Sequence, residues 1–70
     1  MKPLYVRGAN TRVELDDPAL RIRVPEKSDA WLPLRRISRV VSATQVGWTT
    51  EALLACATEG ISVSFLADDG

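Results

Sequence analysis

Thr49-Thr50-Glu51-Ala52-Leu53-Leu54-Ala55-Cys56-Ala57-Thr58-Glu59-Gly60-Ile61-Ser62-Val63-Ser64-Phe65-Leu66-Ala67 is the stretch in which the apolar period changes once, at a glycine. Before Gly60 the pattern is helical. Thr49 or Thr50 supplies a hydroxyl that can accept from a free first-turn amide, and Glu51 suits the positive end of the helix dipole. Ala52, Leu53, Cys56 and Ala57 recur at helical spacing and form one apolar face, with Glu51, Ala55, Thr58 and Glu59 opposite. Gly60 is the left-handed stop just past the helix end. After it the period is two: Ile61, Val63, Phe65 and Ala67 point one way, Ser62, Ser64 and Leu66 the other. The expectation is a helix over Thr50 to Glu59, then a buried strand, packed as a unit on a sheet built by the upstream chain.

That upstream chain reads as short strands between turns. Leu4 to Arg7 is a first strand with Leu4 and Val6 on one face. Gly8-Ala9-Asn10 is a turn, since glycine and asparagine tolerate positive φ. Thr11 to Leu15 follows with Val13 and Leu15 inward, and Asp16-Asp17-Pro18 ends it. Leu20-Arg21-Ile22-Arg23-Val24 is a clean alternation, and two consecutive hairpins are the simplest way to pair these three strands. Past the polar loop Pro25 to Asp29, Trp31 to Leu34 is a short extended piece that Pro33 places at a sheet edge. Arg35 to Ser38 links it to a strand at Arg39 to Ser42, and Val46 to Trp48 leads into the helix. The fold class is therefore α+β, mainly β: a small antiparallel bent sheet or split β-sandwich with one short helix packed on it.

Seventy residues make a single domain, 1–70. A chain of this size buries only about 60% of its unfolded surface, so its core is thin. Asp68-Asp69-Gly70 is a turn signal, and a chain that stops on one reads as part of a longer one. Nine basic side chains balance nine acidic ones, which removes any overall pull toward nucleic acid or membrane. The lone Cys56 makes no internal disulfide, fits a reducing compartment and falls on the apolar helix face as a small buried hydrophobe. Without a leader or an apolar run near the roughly 20 residues of a spanning helix, a soluble, cytoplasmic protein without membrane contact is expected.

The chemistry carried by the residues is narrow. The chain has no histidine, which removes histidine bases, triads and most zinc sites. Asp16-Asp17 and Asp68-Asp69 are oxygen donors of the kind magnesium takes, yet turn formation accounts for both pairs. The arginines divide into Arg21 and Arg23 on one strand face and Arg35, Arg36 and Arg39 in a segment, 30–50, that contains no acid. A guanidinium fork fits phosphate, so these five are the candidate nucleic-acid contacts. The alternative is a solvated face with ion pairs to Glu14, Asp16 and Glu26. Trp31 and Trp48 are stacking platforms or interface anchors on one reading and core residues on the other, the second being the ordinary fate of tryptophan in a small domain.

Several stretches in fixed order resemble the N-terminal β-domain of the CRISPR-associated integrase of spacer acquisition (CRISPR-associated protein one). They are Leu4-Tyr5-Val6 before a turn, Leu32-Pro33-Leu34-Arg35-Arg36-Ile37-Ser38-Arg39-Val40-Val41, Val46-Gly47-Trp48-Thr49-Thr50-Glu51-Ala52-Leu53, and Glu59-Gly60-Ile61-Ser62-Val63-Ser64-Phe65-Leu66. The resemblance implies a larger helical domain downstream. That domain would carry the Glu, His and acidic residues that hold magnesium or manganese for DNA cleavage and strand transfer. No catalytic or metal residue and no cofactor then falls on this chain. The resemblance further implies a homodimer contact, a share of the surface bearing double-stranded prespacer DNA, and a small ferredoxin-like CRISPR partner protein. Some relatives meet DNA with an aromatic residue near the first turn; Tyr5 is the nearest aromatic here. The other reading of the chain is a free-standing nucleic-acid-binding or protein-interaction module.

Overall fold

A computed structural model describes residues 1–67, so Asp68, Asp69 and Gly70, with the turn and the acid pair read there, lie outside the described residues. The elements are β1 (Lys2–Val6), β2 (Arg12–Asp16), β3 (Ala19–Arg23), β4 (Ala30–Pro33), a 3-10 turn (Leu34–Arg36), β5 (Ile37–Ala43), β6 (Gly47–Trp48), α1 (Thr50–Thr58) and β7 (Ser62–Leu66). The strands form two sheets, a three-stranded one in the order β1-β5-β7 and a four-stranded one in the order β4-β3-β2-β6. The fold is small, mainly β, with one helix, as the periodicities predict.

The helix begins and ends as its sequence requires. Thr49 is the cap, its Oγ1 accepting from the Ala52 amide at 3.2 Å. At the other end Gly60 takes φ 72°, the Ile61 amide donates to the Cys56 carbonyl at 2.8 Å and the Gly60 amide to Ala57 at 3.1 Å. That pair of bonds satisfies two carbonyls the helix leaves open, and it turns Ile61 into the core at 7% exposure. The buried face is Ala52 and Cys56 with Leu53 and Ala55 half-buried, whereas Ala57 is exposed. The apolar stripe is thus rotated toward Ala55 because α1 lies against both β2 and β7.

Pairing departs from the hairpin expectation in one place. β2 and β3 do form a hairpin, antiparallel from Arg12↔Arg23 to Asp16↔Ala19, and β4 extends it as an edge strand. β1 does not join them. The turn at Gly8 and Asn10, both at positive φ, carries the chain from one sheet to the other, and β1 pairs parallel with β5. β7 pairs parallel with the other side of β5, the α1 crossover supplying the long connection that parallel strands need. β7 is therefore an edge strand, and apart from half-buried Val63 its residues are exposed rather than buried.

β5 is longer than its sequence pattern suggests. It starts at Ile37, and the register against β1 slips by one residue at Ser38, so Ile37 and Val40 both face inward at 1% exposure. A bulge is the device that lets residues three apart share a strand face. Val6, Ile37 and Val40 from one sheet, Val13 and Leu20 from the other, and Ala52, Cys56 and Ile61 from the helix unit belong to one buried cluster. The core sits between the two sheets and leaves each with an outer face.

Candidate nucleic-acid interface

Of the five arginines singled out by sequence, Arg21 and Arg23 lie on the four-stranded sheet, Arg39 on the parallel sheet, and Arg35 and Arg36 on the 3-10 turn. Arg21 and Arg23 are on the outer face of the four-stranded sheet, with Arg12, Glu14 and Asp16 as cross-strand neighbours and Trp31 opposite Arg21 on β4. This face is internally paired. Arg21 Nε donates to Asp29 Oδ2 at 2.8 Å, and that hydrogen bond holds the Arg21 guanidinium above its ordinary pKa. Arg23 lies 3.5 Å from Glu14 and 3.9 Å from Asp29, and Arg12 lies 3.7 Å from Glu14. The acids that meet the arginines are Glu14 and Asp29. Asp16 instead accepts from Trp31 Nε1 at 2.8 Å.

Trp31 is 52% exposed, not core. It stands on an edge strand, where nothing covers its outer side, and it is fixed there by Asp16 and by the Arg21 guanidinium 5.4 Å from its ring centre. Trp48 is half-buried, donating to Ser42 Oγ at 2.9 Å and meeting Phe65 edge-on at 6.2 Å.

Arg35 and Arg36 project from the 3-10 turn, whose Leu34 is the buried member. Arg39 is on β5, pointing to the outer face of the parallel sheet, with Nη2 donating to the Tyr5 hydroxyl at 3.4 Å. The pairing of β1 with β5 brings a further cation there. Arg7, at the end of β1, lines a shallow groove with Tyr5, Val41, Ala43, Leu66 and Ala67. Sequence reading put Leu4 and Val6 on one face and so left Tyr5 and Arg7 on the other. No local signal says that β1, β5 and β7 share a sheet, so the sequence alone does not group Arg7 with Arg39. Among the described residues, none of Arg7, Arg35, Arg36 and Arg39 has an ion pair.

Among the described residues, no group of three or more His, Cys, Asp or Glu is placed to hold a metal ion. No helix of the described chain is long and apolar enough to cross a membrane.

The sequence matches the family model described as CRISPR associated protein Cas1 over residues 4–70. No curated protein matches it. Among solved structures, the crystal structure of a TtCas1–DNA complex is similar with a TM-score of 0.76 and 17% identity, covering 94% of this chain and 23% of that one. A casposase bound to integration product is similar with a TM-score of 0.68 and 20% identity, covering 97% of this chain and 23% of that one. At these identities the likeness is one of fold. This chain spans about a quarter of the length of either protein.

Proposed function

This chain belongs to the family of CRISPR-associated protein Cas1, and from that membership we propose that it is the N-terminal dimerisation and DNA-supporting domain of a CRISPR adaptation integrase. The observation that carries the reading is the match of nearly the whole chain, residues 4–70, to that family. Similar structures that extend well beyond the matched region include a protein in complex with DNA and one bound to an integration product. On this reading cleavage and strand transfer, with their magnesium or manganese, belong to a downstream helical domain, and this domain is non-catalytic. Its partners are a second copy of itself, the small ferredoxin-like adaptation protein and double-stranded DNA, in the cytoplasm.

Dimerisation is assigned to the edge at β4. An edge strand offers unpaired amides and carbonyls to a copy of itself across a two-fold axis. Trp31 stands half-exposed on this edge with its orientation already fixed by Asp16 and Arg21. Tryptophan and arginine held in this way are the residue types that anchor interfaces, because little side-chain freedom remains to be lost on contact. Support of DNA draws on Arg35, Arg36 and Arg39, with Arg21 and Arg23 contributing where phosphate replaces their carboxylate partners.

The test has two parts. The reading frame beyond the codon for Gly70 should continue into a helical domain with a spaced Glu, His and acidic set; a stop codon there removes the enzyme from the reading and leaves a free-standing module. Sedimentation of the protein should give a dimer, and Trp31→Glu should give a monomer of unchanged circular dichroism. A dimer that persists in Trp31→Glu rules out the β4 edge.

A further inference from the structure

Three cross-strand rows make the outer face of the parallel sheet. They are Pro3–Arg39–Ser62, Tyr5–Val41–Ser64 and, one residue past the β1 ladder, Arg7 beside Leu66 and the buried Ala43. Five of these positions carry side chains that donate to phosphate, and none carries a carboxylate. The four-stranded sheet is the opposite case, its outer arginines being matched by Glu14 and Asp29. Among the described residues, the outer face of the four-stranded sheet is thus internally neutralised, and that of the parallel sheet carries cations without acids.

We infer that the outer face of the parallel sheet seats a nucleic-acid phosphodiester backbone, with Arg7 and Arg39 supplying charge and Tyr5, Ser62 and Ser64 supplying hydroxyl donors. This rests on the DNA-supporting role proposed above and says where on the domain it is performed. Among the described residues nothing covers this face, and Tyr5 is 61% and Leu66 59% exposed. A second copy is a poor cover. Among the described residues no acid stands on this face, so a two-fold contact would bring guanidiniums toward guanidiniums, whereas an isologous interface has to complement itself. Phosphate matches the donor set. Arginine, serine and tyrosine are phosphate-contacting types, and the bond from Arg39 to the Tyr5 oxygen steers the guanidinium across the sheet while leaving the phenolic proton to donate outward. Such contacts grip the backbone and read no bases, so binding is independent of sequence.

The experiment is fluorescence anisotropy of the full 70-residue chain with a labelled DNA duplex of arbitrary sequence, over a salt series. Each phosphate contact contributes about 0.9 to the slope of log K against log salt. Arg7→Ala/Arg39→Ala should lower the slope by about 1.8 relative to wild type. Arg12→Ala/Lys27→Ala removes the same charge from the other sheet and its loop and should leave the slope unchanged. Ser62→Asp/Ser64→Asp, on the exposed edge strand, keeps both arginines and should weaken binding as well; it serves if the arginine variant does not fold. Duplex binding with a wild-type slope in both outer-face variants overturns the inference and leaves the DNA-supporting role intact. Failure of the wild-type chain to bind duplex at low salt overturns that role too. A wild-type dimer that Ser62→Asp/Ser64→Asp converts to monomer gives the face to a second copy and also overturns the inference.

Discussion

Cys56 shows how much one position can carry. It has no exposed surface, and burial raises its thiol pKa because the desolvated site disfavours the thiolate. In the unfolded chain the thiol ionises near about pH 8.5. The folded state keeps its proton beyond that point, so the unfolded state binds fewer protons and stability falls as pH rises. Urea midpoints should decline above about pH 8.5, and Cys56→Ala should remove that part of the decline. A wild-type chain with no added alkaline loss relative to Cys56→Ala contradicts the assignment. The same position illustrates a residue whose place was readable, since helical spacing from Ala52 put it on the apolar face. Ala57 was misplaced by the same spacing. A helix packed against two strands buries a stripe set by both, and one-dimensional periodicity does not specify that tilt.

At the scale of elements, β4 and β3 make the sharpest contrast. Leu20 on β3 is fully buried and Trp31 on the β4 edge is half-exposed, although composition alone favours tryptophan as the core residue. Leu20→Ala should cost about 2–5 kcal/mol, the range for deleting a buried leucine. Trp31→Ala should cost well under the roughly 3–5 kcal/mol of a buried tryptophan, since it loses an exposed hydrogen bond and a cation–π contact of about 0.5–1 kcal/mol. Urea denaturation of the two variants checks the order; a costlier Trp31→Ala would place that ring in the core. The helix unit was the most legible element. Its cap, its left-handed glycine and its period are all local features, and local features are written in neighbouring residues. The strands were legible as strands but not as partners.

For the molecule as a whole, the decisive fact is that two sheets share one core. Val13 and Leu20 from one, Val6, Ile37 and Val40 from the other, and Ala52 and Cys56 between them leave neither sheet a core of its own. The domain should unfold in a single transition. With Trp31→Phe, the fluorescence of Trp48, on β6 of the four-stranded sheet with its ring against Ser42 and Phe65 of the parallel sheet, follows the contact between the sheets, while far-ultraviolet circular dichroism follows all strands. The two curves should coincide in urea, and separated midpoints would show the sheets melting independently.

The sequence by itself determined the elements, the mainly β class with one helix, the edge position of the Pro33 strand and the family resemblance. These depend on residues close in the chain: caps, period, turn formers and short ordered motifs. Only the tertiary structure decided that β1 leaves the hairpin to pair with β5. It also decided that Arg21 and Arg23 are matched by Glu14 and Asp29, and that, among the described residues, Arg7 and Arg39 share a face without acids. Parallel pairing joins strands separated by long connections and leaves no local mark, so the charge pattern of a face built that way appears only once the sheet is formed.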